Sequence, residues 1–453
     1  GKRLDIMKEK HMFSNRDLFL LLLPLIVEQL LNSLMGTVDT IMVSNVGSEA
    51  ISAVSLVDSI CVLVVQVFSA LAAGGAIICS QYIGRKDERA ANRAASQVVF
   101  TVAVISFALM VLCLLFRRPL LRLIFGAVEP EVMSAAQVYF FFMAMSFPFI
   151  GLYNAGSSVF RAQKNTRTPM VISIISNGMN IAGNAFLIWG LRLGVAGAAL
   201  ATLGSRIFCA VVVLWYLRKT ENMVCVRDYR RIRPDFPLIK RILAIGIPSG
   251  VENGMFQFGK LAIQSTVSTL GTAAIAAQAM TNIMENVNGV GAVGVGIGLM
   301  TVVGQCIGAG RRDEARYYIK KLTIIAEVTI IISCLAVFLI TRPVTILGGM
   351  EKESADLCMY MVMWITIVKP ISWTLSFIPA YGMRAAGDVK FSMIVSCTTM
   401  WLCRVSLCVF LCRVMGFGPI AVWIGMFADW TVRAVIFTAR FISGKWVEHR
   451  VIQ

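Results

Sequence analysis

Apolar runs of about 20 or more residues recur along this chain, and a helix of that length crosses a hydrocarbon core of about 30 Å. Water is absent from such a core, so each run must satisfy its backbone hydrogen bonds within itself, as a helix does. We read twelve spans, at 18–43, 51–83, 94–116, 133–157, 168–190, 194–217, 238–269, 273–308, 318–340, 355–382, 389–412 and 417–439. Composition agrees, since 57% of the 453 residues are hydrophobic and 15% are charged, below the charged fraction of about 25% in soluble domains. The expected fold class is an all-α polytopic membrane protein.

The chain carries 42 Lys and Arg against 25 Asp and Glu, a formal charge of +17. When residues at span ends are counted with the connection beside them, the tails and even-numbered connections hold 30 of the basic residues. The odd-numbered connections hold 7, and 5 lie within spans. The positive-inside bias then puts both termini in the cytoplasm, for a protein of the plasma (inner) membrane. The richest basic stretch, Arg218 to Arg241, includes Arg227, Arg230, Arg231 and Arg233 with Pro234 and Pro237, and falls midway along the chain. Nucleic acid is not expected as its partner, because no folded basic domain surrounds it; anionic lipid headgroups are. The twelve cysteines lie mostly in apolar runs without a C-x-x-C pair, and His11 and His449 sit in the tails. Disulfides, a metal centre and a cofactor are therefore not expected.

An internal repeat sets the organisation. Pro24 and Glu28 return as Pro248 and Glu252, and Gly47-Ser48-Glu49-Ala50-Ile51 as Gly271-Thr272-Ala273-Ala274-Ile275, always 224 residues on. Gln81-Tyr82-Ile83-Gly84 returns at the same offset as Gln305-Cys306-Ile307-Gly308, and Arg161-Ala162 as Arg384-Ala385, one residue closer. Polar markers held in register along most of each half mean that six spans duplicate six. The domains expected are a cytoplasmic tail (1–16), an N-lobe (17–217), a cytoplasmic linker (218–237), a C-lobe (238–440) and a second cytoplasmic tail (441–453). An even number of spans gives the two lobes the same orientation, a parallel repeat typical of carriers.

Two nucleotide-like motifs fail on context. Gly254 to Leu261 follows a P-loop for seven positions, but the eighth must be Ser or Thr and is Leu261; Gly289-x-Gly291-x-x-Gly294 has no strand before it. The glycines there are better read as sites of close helix approach. What remains is ionisable and amide groups inside spans, where an unpaired charge is costly and marks a pathway or a partner. Glu28 and Asp39 lie eleven positions apart on one face of span one. Asn177, Asn180 and Asn184 form a polar stripe on span five, which a carboxylate could face while holding a proton or sodium. Glu252 and Lys260 share a face of span seven, as in an ion pair, and Lys369 precedes Pro370 in span ten. Asp429 and Arg433 are spaced to pair within one helix, and Glu285 and Glu327 have no evident partner.

The chain resembles the multidrug and toxic compound extrusion family over nearly its whole length. The residues that carry the resemblance are Val38-Asp39-Thr40-Ile41-Met42, Gln81-x-Ile83-Gly84, Gln305-x-Ile307-Gly308, Gly194-Val195-Ala196-Gly197-Ala198-Ala199 and Arg384-Ala385-Ala386-Gly387-Asp388. The resemblance implies twelve helices in two six-helix lobes, alternating access, and a monomer that is not an enzyme. It implies export of amphipathic, often cationic small organic compounds in exchange for inward protons or sodium. By position, Asp39 matches the family's coupling carboxylate, and Asn180 and Thr202 match polar members of the N-lobe cation site. Asn184 stands where many relatives carry a second aspartate. In the C-lobe, Glu252 is displaced by about a turn, Thr374 takes the span-ten position, and Lys260 and Lys369 add positive charge, so the sodium site of some relatives is not expected there. The alternative is a lipid-linked precursor flippase of a related two-lobe fold, which Lys260 and Lys369 would suit.

Overall fold

The protein is seen in a computed structural model that describes residues 11–44, 46–126, 128–219 and 222–452, apart from the side chains of Thr37, Thr40, Ser44 and Ser48. Most of the tail expected at 1–16 lies outside these residues. The described chain is almost wholly helical: α1 (Asn15–Ser44), α2 (Ser48–Gly84), α3 (Glu88–Leu115), α4 (Arg117–Phe125), α5 (Pro130–Met145), α6 (Phe147–Ala162), α7 (Arg167–Asn184), α8 (Val195–Leu217), α9 (Phe236–Val267), α10 (Thr272–Gly308), α11 (Arg312–Leu347), α12 (Lys352–Ala385), α13 (Val389–Thr399), α14 (Ser406–Arg413) and α15 (Ile420–Ser443). A wider π turn, Ala185–Gly190, continues α7, and a second, Met400–Val405, joins α13 to α14.

Ten helices among the described residues are long and apolar enough to cross a membrane, and α5 with α6, bent by 40°, make an eleventh span. The bend falls at Ser146, just before Pro148, whose missing N–H opens the helix ladder. The remaining stretch, α9, is a continuous helix of 32 residues, but Lys240, Arg241, Glu252, Asn253, Gln257 and Lys260 leave it too polar to qualify. On α11 the exposed residues Val328, Ile332, Leu335 and Leu339 form one apolar stripe, while Ala326, Ile330, Cys334 and Val337 face inward. An apolar stripe on the outside suits lipid as the solvent.

The described chain divides into two compact units, one of residues 1–30 with 251–453 and one of residues 31–250. The boundaries fall near the middles of α1 and α9, which are repeat equivalents. Each of these helices gives its first part to one unit and its remainder to the other. Gly47 and Gly271, equivalent residues before α2 and α10, have φ of 138° and 100°, conformations that glycine adopts without strain.

In the unit of residues 31–250, the core is built on Phe68, Tyr139, Phe140, Met143 and Phe147. Gly74 lies so close to α9 that a Cβ would stand 2.8 Å from the Gly246 nitrogen. The connection before α9 is strapped to this unit: Val224 donates its N–H to Gln163 Oε1 at 2.8 Å, and Cys225 to Asn92 Oδ1 at 3.0 Å. Tyr229 donates its hydroxyl to the Leu214 carbonyl at 2.6 Å, and burial pushes its phenol up. The arginines of this stretch stay outside, with Arg230, Arg231 and Arg233 exposed around a shallow groove.

In the other unit, the glycine-rich run of α10 permits close packing. A Cβ on Gly294 would meet the Ile26 backbone at 3.1 Å, and one on Gly296 the Tyr381 ring at 2.5 Å. The Gly-x-Gly-x-x-Gly motif therefore serves helix contact.

Candidate functional site

Asp39 lies in the last third of α1, half-buried. Two asparagines of α7 donate to it: Asn180 Nδ2 to Oδ1 at 3.3 Å and to Oδ2 at 3.1 Å, and Asn184 Nδ2 to Oδ1 at 3.1 Å. The four-residue spacing stacks both amides on one side of α7. With the nitrogens turned to the carboxylate, the Oδ1 atoms of Asn180 and Asn184 are buried acceptors without a partner among the described residues. The third member of the stripe, Asn177, instead donates to Asn32 Oδ1 at 3.3 Å. Thr202 turns its hydroxyl back to the Ala198 carbonyl at 3.1 Å. Glu28 is buried, 1% exposed, and belongs to the other unit.

One acidic group near Asp39 escaped the sequence reading. Asp58, inside α2, accepts the Tyr139 hydroxyl at 3.0 Å, and its charge interacts with those of Asp39 and Arg206. Arg206 also acts on Asp39, and it donates to Ser146 Oγ at 2.7 Å, where α5 bends into α6. Two carboxylates thus share one guanidinium. The available signal was an aspartate in an apolar run, the same criterion that selected Asp39.

The unit that holds α10 to α15 is arranged differently. Glu252 does not pair with Lys260. It is held by Arg384 at 3.3 Å and by the hydroxyls of Ser396 at 2.7 Å and Ser392 at 3.2 Å. Serines reaching from α13 and the arginine closing α12 come nearer than a lysine two turns along α9. Ser396 in turn receives Arg433 Nη1 at 3.2 Å, and Arg433 Nε donates to Asp429 at 2.9 Å, the pairing within one helix that the spacing predicts. Arg404 Nε stands 3.9 Å from the other Asp429 oxygen, and neither atom has a hydrogen-bond partner among the described residues.

Lys369 is fully buried and saturated: it donates to Glu285 Oε1 at 2.9 Å, to the Glu285 carbonyl at 3.0 Å and to Asn288 Oδ1. Glu285 thereby gains the partner its sequence context withheld, and Glu327 interacts with Thr374. Lys260 has its ammonium 4.8 Å from the centre of the Phe256 ring, which Arg404 also covers at 5.0 Å. Among the described residues no carboxylate comes within ion-pair distance of Lys260, although Glu285 feels its charge together with those of Lys369 and Arg404.

The repeat relates the two arrangements. At the 224-residue offset Asp39 and Asp58 correspond to Ile263 and Asn282; in the register one residue closer that holds from Arg161 onward, Asn180 and Asn184 correspond to Cys403 and Leu407. Both acids of the first unit become uncharged residues, and neither amide is kept.

Comparison with known proteins gives a consistent picture. The MatE family model matches twice, at residues 24–186 and 248–410, the same offset. The chain is 26% identical to a probable multidrug resistance protein NorM of Thermotoga maritima, covering 96% of this chain and 94% of that protein. It is 25% identical to the uncharacterized transporter YisQ of Bacillus subtilis, covering 95% of each. Its fold matches that of a multidrug resistance MATE family transporter of the MOP superfamily, solved in an outward-facing conformation, with a TM-score of 0.88. That match covers 95% of this chain and 96% of the other at 19% identity. Two family matches that together take in most of the chain, on a duplicated framework of apolar helices, identify it as a member of the MatE family of multidrug and toxic compound extrusion transporters, an integral membrane protein and not an enzyme.

Proposed function

We propose that this transporter is a secondary antiporter that exports amphipathic organic compounds in exchange for inward protons or sodium, with Asp39 as the coupling carboxylate. The reading rests on one observation, the half-buried Asp39 carboxylate held by two α7 amides whose own oxygens lack partners. The amide donors offset part of what a water-poor interior costs the charged carboxylate, and protonation removes that charge. Rotation of either amide about its terminal bond would turn a carbonyl oxygen to the same point, giving a hard cation carboxylate and amide oxygens together. A proton or sodium therefore fits the same group. Arg206 limits the cost of the ionised state, while the like charge of Asp58 adds to it.

In this scheme the charged Asp39 favours a cationic compound, and cation arrival from outside releases it during alternating access. The transporter works as a monomer in the plasma membrane with both termini cytoplasmic, and the basic stretch before α9 meets anionic lipid headgroups. The decisive experiment is efflux from proteoliposomes under separately imposed proton and sodium gradients. An inward gradient of one of the two should accelerate export. Gradient-driven export that persists unchanged in correctly inserted Asp39→Asn would refute the assignment.

A further inference from the structure

Lys260 stands out among the charged groups the coupling reaction does not use. It sits on the part of α9 that belongs to the unit of residues 251–453, and its side chain is exposed. Its ammonium has an aromatic face beside it, at Phe256, and no acceptor among the described residues. A lysine placed this way on a helix that continues a bundle of membrane spans points to a partner supplied from elsewhere.

The surroundings define that partner's chemistry. Glu285 is the carboxylate on which the charges of Lys369, Arg404 and Lys260 converge, and Lys369 already claims it directly. Two buried donors near Lys369 also have no acceptor: Nδ2 of Asn288, whose oxygen binds that lysine, and Nε1 of Trp430, whose ring lies 5.9 Å from it. Asn288 is 1% exposed and Trp430 fully buried. Arg404, also beside Phe256 and 3% exposed, has an Nε unpartnered among the described residues, and the Asp429 oxygen 3.9 Å from it belongs to a carboxylate that Arg433 already bonds through its other oxygen. Around Phe256 and Glu285 the cationic groups thus outnumber the carboxylates, buried donors lack acceptors among the described residues, and aromatic faces stand beside them.

We propose that the unit of residues 251–453 receives an acidic group, a carboxylate or phosphate carried by an amphipathic aromatic or lipidic compound, with Lys260 as the cation that meets it. The inference deepens the export reading and rests on it for the role of the site: the chain would accept acidic and zwitterionic compounds as well as cations, the two charges being met in different units. Charge-assisted hydrogen bonds to an otherwise unpaired ammonium give the anion its affinity, and Phe256 provides a ring against which an aromatic body packs.

The test is equilibrium binding to the full chain in lipid nanodiscs, with no ion gradient, using 1-naphthoate as probe and the isosteric 1-naphthamide as neutral control. Naphthoate should bind saturably, weaken roughly tenfold or more in Lys260→Gln, and recover in Lys260→Arg. Naphthamide binding should be unchanged in both, which also reports that the variants are folded. Displacement of naphthoate by phenyl phosphate would support a free acid as the natural ligand, and displacement by a polyprenyl phosphate alone a lipid headgroup. Naphthoate affinity that is indifferent to Lys260→Gln, or equal for naphthoate and naphthamide, would overturn the proposal. Because no gradient is applied, this result is separable from any failure of Asp39 to couple transport.

Discussion

Around Asp39, two carboxylates share one guanidinium; around Glu285, one carboxylate is faced by Lys369, Arg404 and Lys260. The two settings occupy corresponding halves of one repeat, with Pro24 and Pro248, Gly47 and Gly271, and the α1 and α9 helices in register. Backbone architecture and interior polarity have therefore varied separately. Prolines, turn glycines and helix lengths fix where the chain runs. A few substitutions at equivalent positions, Asp39 to Ile263 and Asp58 to Asn282 among them, decide which sign of charge the interior tolerates.

The contrast can be broken at several points. The largest effect is expected from Asp39→Asn, which should slow gradient-driven efflux about 100-fold or more if a full charge is lost from the coupling step; liposome flux assays measure it. Next comes Arg433→Leu, which leaves Asp429 to Arg404 alone and strips Ser396 of two donors. Removing one partner of a buried pair costs about 3–5 kcal/mol, to be read as a lower unfolding midpoint in detergent. Tyr139→Phe deletes the hydrogen bond to Asp58 and should cost about 1–3 kcal/mol, the usual range for a charged acceptor left short of a donor. A thermal unfolding series with Asp58→Asn alongside would isolate that bond, since the double variant should lose little more than either single one. The smallest effect belongs to Thr202→Val. The hydroxyl is bonded to its own helix at Ala198, so efflux should stay within about twofold of the parent. A large loss there would move Thr202 into the coupling site and enlarge that site to include α8.

The skeleton was readable in the sequence because spanning a membrane demands long apolar runs, and because repeat markers such as Pro24 and Pro248 are polar or conformational exceptions within them. The Asp39, Asn180 and Asn184 cluster was readable for a related reason: beyond the first turn of α1 only Glu28 and Asp39 are ionisable, and helical periodicity puts the two amides of α7 on one face. Partner choice was not. Glu252 shares a helix face with Lys260 yet bonds to Arg384, Ser392 and Ser396, which lie more than 130 residues away in sequence. Only the tertiary packing of α9 against α12 and α13 decides that competition. The bond from Lys369 to Glu285 was hidden likewise, since the two sit 84 positions apart. Asp58 was the different case, an intramembrane acid visible in the sequence and left aside beside the stronger pattern of Asp39.

The wide turn at Met400–Val405 holds Arg404, and the one in the other half, Ala185–Gly190, begins directly after Asn184. Such turns arise when a spiral accommodates an extra residue. Deleting a single position there would regularise the coil and swing everything beyond it by about 100°. The guanidinium would be carried off the Phe256 ring while every apolar contact upstream stayed as it was. Each of these irregularities therefore acts as an angular setting, by which a chain built twice from one plan can aim different chemistry inward.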